Sequence, residues 1–469
     1  MADELTTLSL DLYSENPGTK HSSRSRRSGP GKANCRNVKI LHSWQLMLVV
    51  AVLLLSLSPR ECSGYSVLTH EALVDLAWNS SIEPLLLSRF PSATKAQLQK
   101  AHAFAYGGSA IQDMGYYPFG KQFFSDLTHY VRSGDFVASL FRNARTVDEY
   151  AFAIGALSHY LGDSIGHATV INEATAVEFK KLRRRYGPIV TYEQDPHAHV
   201  RTEFAFDIDQ ISKHRFPPRS YLERIGFQVP RRQLERAFEE TYGLRLHDIL
   251  GPEFSAIKSY RWSVRHFIPW FAGAEVVIHR HHFPPDASDD GYQEYALRIS
   301  ETAYKLNPVY IDHGPGIGPH LLAPLVRIVP KVGVFSLLGI KGPTEQTEAW
   351  YIRSVTRTVD TLGGVLGILA EDPETKLRLA DLDLDTGARV RPGSYQRTDE
   401  TYAKLLHIFV SHPDNLVRPS LRRDILNYYA DPSAPIATKR NAKQWKQVLS
   451  ELEILKRMKT VSAPEAPSH

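Results

Sequence analysis

Thiols are almost absent from this chain: Cys35 and Cys62 are the only cysteines among 469 residues. Both precede the segment read below as the mature protein. Thiolate zinc fingers, cysteine nucleophiles and disulfides are thereby excluded from that segment, and any metal site there must draw on His, Asp and Glu. No apolar run reaches the ~20 residues that a membrane-spanning helix needs. Internal repeats and a run of alternating strands are lacking too. Charge of one sign is not in excess: the first 64 residues hold eight Lys/Arg and five Asp/Glu, leaving 48 basic against 46 acidic side chains. Bulk charge therefore gives no support to a nucleic-acid partner, although a local phosphate site is still allowed. Histidine, by contrast, is plentiful, with 20 copies.

The N-terminal region divides by composition. Residues 1–43 are a polar, basic leader, read as disordered, with Lys20, Arg24, Arg26, Arg27, Lys32, Arg36 and Lys39 in its second half. Residues 44–64 read as the apolar region and cleavage site of a signal peptide. The apolar core Leu46–Leu55 suits the ~7–15 residues of such a region, and Cys62-Ser63-Gly64 offers small residues before the cut. The mature chain would begin at Tyr65 and be exported, to the periplasm or the medium. An uncleaved N-terminal membrane anchor is the alternative.

Beyond Tyr65, helical apolar spacing predicts helices over 68–88, 94–106, 146–171, 173–186, 198–213, 231–243 and 254–282. Residues 107–128, rich in Gly and aromatics, read as loop or short helices. Residues 283–289 form a Pro-rich linker. After it come helices over 291–306, 345–371 and 399–430, loop over 372–398, and a last amphipathic helix at 439–458. Residues 315–343 read as a buried helical hairpin or, alternatively, a membrane-surface element. The expected organisation is an all-α, multi-helix catalytic domain over 65–285, a helical C-terminal region of unknown role over 290–460, and a disordered tail over 461–469.

The chemistry concentrates in two helical patterns. His159, Asp163 and His167 fall at i, i+4 and i+8, drifting by only ~80° around a helix, so all three can face one site. His199 and Glu203 repeat the i, i+4 spacing, which lets two side chains grip one ion. His197 competes with His199 for that role, and the spacing to Glu203 favours His199. Asp113, His129 and His70 lie upstream. His70 stands five residues after Tyr65, whose free amine and carbonyl would be able to chelate a metal after cleavage.

The ordered series Tyr65, His70, Asp113, His129, His159, Asp163, His167, His199, Glu203 resembles the ligand set of the zinc-dependent phospholipase C family, whose superfamily includes fungal single-strand nucleases. The resemblance covers residues 65 to about 285. It implies three zinc ions. Asp113, His129, His159 and Asp163 would hold the first; His167, His199 and Glu203 the second; the Tyr65 amine and carbonyl, His70 and Asp163 the third. Asp113 would act as the base that orients or deprotonates water. Three departures stand out: Tyr65 replaces the usual Trp, the Asp163–His167 spacing is two residues shorter than the family pattern, and His197 crowds His199. A neighbour of His167 is therefore an alternative ligand for the second ion.

Tyr116, Tyr117, Phe119, Phe123 and Phe124 lie between proposed ligands and are read either as the wall of a substrate pocket or as core. Asp126, Asp195 and Asp207 read as caps or surface residues, and Lys180–Arg185 as a solvated helix face. The expected function is zinc-dependent hydrolysis of a phosphoric diester, phospholipase C-like, on phospholipid and with peripheral membrane contact. A nuclease or nucleotidase on the same metal site, or a non-catalytic zinc-stabilised envelope protein, are the alternatives. No specific nucleic-acid partner is expected.

Overall fold

Thr94 and Thr146 start the two helices on which the rest of the chain is built. The Thr94 hydroxyl accepts from the Gln97 amide while the Gln97 side chain accepts from the Thr94 amide. Thr146 accepts from the Glu149 amide. Each cap satisfies amides that a helix start leaves without partners. The computed structural model describes residues 66–117, 120–251, 253–279, 290–307, 320, 340, 342–372, 375–411, 417–431, 433–434, 436 and 441–460. The leader, the apolar segment, Tyr65, Phe119, the Pro-rich linker and most of the 315–343 hairpin lie outside these residues.

The described chain is all-α. Its elements run α1 (Val67–Ala77), a π-helical turn (Trp78–Ile82), α2 (Glu83–Arg89), α3 (Lys95–Ser109), a 3-10 turn (Gln112–Tyr116), α4 (Gln122–Tyr130), α5 (Ser133–Arg142) and α6 (Val147–Gly166). A second π-helical turn (His167–Ile171) leads into α7 (Asn172–Glu178), α8 (Lys180–Tyr186), α9 (Pro196–Ser212), α10 (Arg219–Ile225), α11 (Arg231–Tyr242) and α12 (Leu246–Leu250). Then come α13 (Glu253–Trp262), a third π-helical turn (Ser263–Phe267) and α14 (Ile268–His279). The C-terminal region adds α15 (Asp290–Ser300), α16 (Ala303–Leu306), α17 (Glu345–Glu371), the two-residue strands β1 (Leu382–Asp383) and β2 (Ala388–Arg389), α18 (Gln396–Ser411), α19 (Pro419–Tyr428) and α20 (Ala442–Arg457). β1 and β2 pair antiparallel, Leu382 opposite Arg389.

Helix α6 is the axis, packed against α1, α3, α5 and α17. Its approach to α3 is as close as backbone permits. A Cβ on Gly155 would stand 2.0 Å from the Ala105 carbonyl oxygen, and one on Gly108 would stand 2.0 Å from that of Phe152. The C-terminal region shares this core: Tyr351, Val355, Leu362, Leu405 and Phe409 are buried in the same cluster as Leu73, Phe152 and Leu157. Helix α17 also meets the start of α1, where the hydroxyls of Tyr351 and Thr69 are 2.9 Å apart.

Several boundaries differ from the sequence reading. The stretch 129–145, for which no helix is predicted, contains α5. It is set off from α4 by Arg132, a non-glycine residue at φ 51. Arg132 holds that left-handed conformation through its side chain, which pairs with Asp135 and donates 2.7 Å to the Thr241 carbonyl. The predicted helix 173–186 breaks at Phe179 (φ −110, ψ 75), whose ring lies beneath the Arg201 guanidinium at 5.0 Å. The predicted helix 399–430 is two helices, α18 and α19. The loop 372–398 contains the small β-hairpin.

Candidate metal centre

The histidine rings are aimed by hydrogen bonds from their far nitrogens. His159 Nδ1 donates to the Ser109 carbonyl at 2.9 Å, a contact that depends on the close α3–α6 approach. His129, near the end of α4, donates from Nδ1 to the Ser125 carbonyl at 2.8 Å. On α9, His199 donates from Nε2 to Asn172 Oδ1 at 2.9 Å. Such bonds fix the tautomer and leave the other nitrogen of each ring as a metal donor.

Those inward nitrogens converge on carboxylates. Asp163 is the hub: Oδ1 lies 3.1 Å from His70 Nε2, and Oδ2 lies 3.0 Å from His159 Nε2 and 3.4 Å from His129 Nε2. His129 Nε2 is also 3.4 Å from Asp113 Oδ1. His70 and His159 stack at 4.2 Å between centroids. Across α6, His199 Nδ1 meets Glu203 Oε1 at 2.7 Å, and the rings of His167 and His199 stack at 4.9 Å. Donor atoms fall within 4.8 Å of one another in three sets: His70, Asp113 and His159; His129, His159 and Asp163; His167, His199 and Glu203.

The π-helical turn explains how His167 and Asn172 join one site. In a plain α-helix the residue in line after His167 would be Ile171. The widened turn, in which the Asn172 amide bonds the His167 carbonyl, brings Asn172 into that line instead. Asn172 then reaches His199 from the side of α6. Inserted π turns of this kind recur at functional sites.

The resemblance implies three ligand sets, two of them sharing Asp163, and the donors can be compared with those sets one by one. His167, His199 and Glu203 do form one set. Asp113 lies beside His129, as expected, and also falls within donor range of His70 and His159, so the remaining ligands make one continuous cluster joined at His159 and Asp163. Tyr65 lies outside the described residues. Its neighbour Ser66 is buried at the head of α1. Asp207 caps that helix, accepting from the Leu68 amide at 3.3 Å and the Thr69 hydroxyl at 2.6 Å. Asp195 caps α9 through the Ala198 amide, and Asp126 pairs with Arg397 at 3.6 Å. Tyr116, Tyr117, Phe123 and Phe124 are all buried in the core. Tyr116 sits against His129 (5.9 Å), Tyr117 against Tyr260 (5.1 Å), and Phe124 against Phe238 (5.5 Å). No residue of α8 is buried.

Burial dominates the electrostatics. It pushes the His70, His167 and His199 imidazoles below their ordinary range, His199 furthest. It drives the Glu203 carboxyl well above its ordinary range, with Asp163 and Asp113 adding to the shift. For His129 and His159 the same burial is outweighed by the Asp113 and Asp163 carboxylates, which raise both. Asp163 is held well below its usual range, because His159, His70 and His129 overcome its burial.

The donor set fits divalent cations. Both ring nitrogens of His167 and both carboxylate oxygens of Asp113 are buried and receive no hydrogen bond among the described residues. Groups so placed carry a desolvation cost that coordination removes. Imidazole nitrogens and carboxylate oxygens without thiolate are a zinc-compatible set. The residues that the sequence reading missed are the aiming groups Ser109, Ser125 and Asn172. Two act through main-chain carbonyls, which residue identity does not reveal; Asn172 acquires its role only through the π turn.

Among the described residues no helix is long and apolar enough to cross a membrane. Residues 69–249 match the model of a family described as zinc dependent phospholipase C. No curated protein and no solved structure matches the chain.

Proposed function

Because residues 69–249 belong to the zinc-dependent phospholipase C family, we propose that the chain is a zinc-dependent hydrolase of phosphoric diesters. It would act on phospholipid at the bond between glycerol and phosphate. One observation carries this reading: three sets of buried His, Asp and Glu donors, each within 4.8 Å and two of them sharing His159, occupy the matched segment. In this proposal His167, His199 and Glu203 hold one zinc, and the cluster of His70, Asp113, His129, His159 and Asp163 holds two more. The Tyr65 amine and carbonyl complete the set once the leader is removed on export. Zinc held there supplies Lewis acidity and lowers the pKa of bound water.

The chain's own groups do the rest. Asp163 spans the cluster with its two oxygens. Asn172, Ser109 and Ser125 lock the rings in the donor tautomer. Asp113, whose oxygens receive no hydrogen bond among the described residues, accepts the proton of the attacking water. Glu203 as the last ligand matches the phospholipase branch rather than the nucleases.

Burial favours a second reading. His70, Asp113, His129, His159, Asp163, His167 and His199 are each 0% exposed, as suits a zinc centre that stabilises the fold without turnover. Hydrolysis of short-chain phosphatidylcholine, before and after chelation and in Asp113→Asn, separates the readings. Chelator-sensitive release of phosphocholine, lost in the variant, supports the phospholipase. Release of nucleotides from single-stranded nucleic acid, with none from lipid, moves the assignment to a nuclease. Stoichiometric zinc without turnover on either leaves the structural centre.

A further inference from the structure

The hairpin in the C-terminal region lies outside the matched segment, yet it is fastened to the metal centre on both flanks. On one side the Leu384 amide donates to the His129 carbonyl at 3.2 Å. On the other, the Asp385 carbonyl accepts from Asn172 Nδ2 at 2.9 Å, the same side chain whose oxygen holds His199. Two residues on, Gly387 (φ +67) presses against α6 so closely that a Cβ would stand 2.3 Å from the Ser164 carbonyl oxygen, next to Asp163. Ser133 Oγ closes the near end, donating to the Leu382 carbonyl and accepting from the Leu382 amide. Asp383 braces the turn from within, accepting from the Asp385 and Thr386 amides.

This strap delivers one carboxylate. Asp385 is 0% exposed. Its Oδ2 accepts from the hydroxyls of Tyr130 (2.9 Å) and Tyr395 (2.5 Å). Its Oδ1 is buried with no hydrogen bond among the described residues. Tyr130 follows His129 directly, so the bonded oxygen is tied to a ligand-bearing helix. A buried carboxylate oxygen without a hydrogen bond is costly; the Arg397 guanidinium, which pairs with Asp126 and lies over the Tyr192 ring (4.6 Å), attracts Asp385 through space without bonding that oxygen. Zinc held by the His129 and His199 sets would supply positive charge on this side of the centre. Asp385 reaches the ligands at one remove: its carboxylate through Tyr130, next to His129, and its main-chain carbonyl through Asn172, behind His199.

We propose that Asp385 is a positioning residue of the metal centre: its charge stabilises bound zinc, and its strap holds His129 and His199 in place, so that the C-terminal region completes a centre whose ligands all lie upstream. The inference rests on the metal-centre reading given above.

The test uses the full chain and zinc alone as the probe. Zinc affinity is measured by competition with a coloured chelator, and melting temperature is measured with and without zinc, for wild type, Asp385→Asn and Tyr395→Phe. The asparagine keeps the shape and an acceptor for both tyrosines while removing the charge. Asp385→Asn should bind at least one zinc about 10- to 100-fold more weakly with the metal-free melting temperature unchanged or raised. Tyr395→Phe should show a smaller loss. Tight zinc binding by wild type with equal affinity in Asp385→Asn overturns this inference and leaves the metal centre standing. An equal fall in melting temperature with and without zinc also overturns it, because the residue then serves only the fold. Wild type that binds no zinc defeats the metal centre itself.

Discussion

His199 shows how one ring becomes a ligand. Asn172 takes the proton-bearing nitrogen, and the other nitrogen is left against Glu203. Replacing Asn172 by Ala removes the group that fixes the tautomer. The expected result is about 10- to 100-fold weaker zinc at that set with little change in the other cluster, read by competition titration. Asp207 gives a prediction of a different kind. Burial raises its carboxyl from 3.8 to about 7, despite hydrogen bonds from Ser66 and Thr69 that pull it down. Between an unfolded value of ~3.9 and about 7 the folded state holds a proton that the unfolded state has released. Its stabilising contribution is full below ~3.9 and lost as pH rises through that window, with a slope of at most one proton, ~1.4 kcal/mol per pH unit. Asp207→Asn should flatten the stability profile across this range in denaturant titrations at stepped pH. An unchanged profile would contradict the assignment.

At the scale of elements, the α3–α6 contact decides whether His159 meets the Ser109 carbonyl. Gly155→Ala forces a Cβ to 2.0 Å from the Ala105 carbonyl oxygen, so the helices must separate. Overpacking of this kind costs ~1–3 kcal/mol, and the variant should both melt earlier and hold zinc less tightly. The helices themselves were largely legible, because Thr94, Thr146, Asp195 and Thr344 cap runs with clear apolar periodicity. The His159, Asp163, His167 and His199, Glu203 spacings were legible for the same reason, since a helix face is set by local geometry. The break at Arg132, the π turn at His167–Ile171 and the closure of 380–397 over the site were not. Each is set by contacts between residues far apart in sequence: Arg132 with Thr241, His199 with Asn172, and Leu384 with His129 are examples.

For the molecule as a whole, the C-terminal region is fastened into the core that carries the metal donors. The Tyr160 hydroxyl donates to the Ala380 carbonyl at 2.7 Å, and Tyr351 stacks on Phe206 at 4.8 Å, one turn beyond Glu203. A chain ending at residue 285 would uncover the buried faces of α1, α6 and α9, each large apolar side chain representing ~1.5–3 kcal/mol of lost burial. That truncation should lose near-ultraviolet circular dichroism and bind hydrophobic dye. A cooperative melt from it would show that the upstream segment folds alone.

The most direct test of the account is the metal content of protein beginning at Tyr65, measured by native mass spectrometry for wild type, His159→Ala and Glu203→Gln. The account predicts close to three zinc per wild-type chain. It predicts loss of a single zinc in Glu203→Gln, confined to the set with His167 and His199, and a larger loss in His159→Ala, which joins the other two sets. Wild-type protein without stoichiometric zinc would contradict it, as would both variants retaining the full complement.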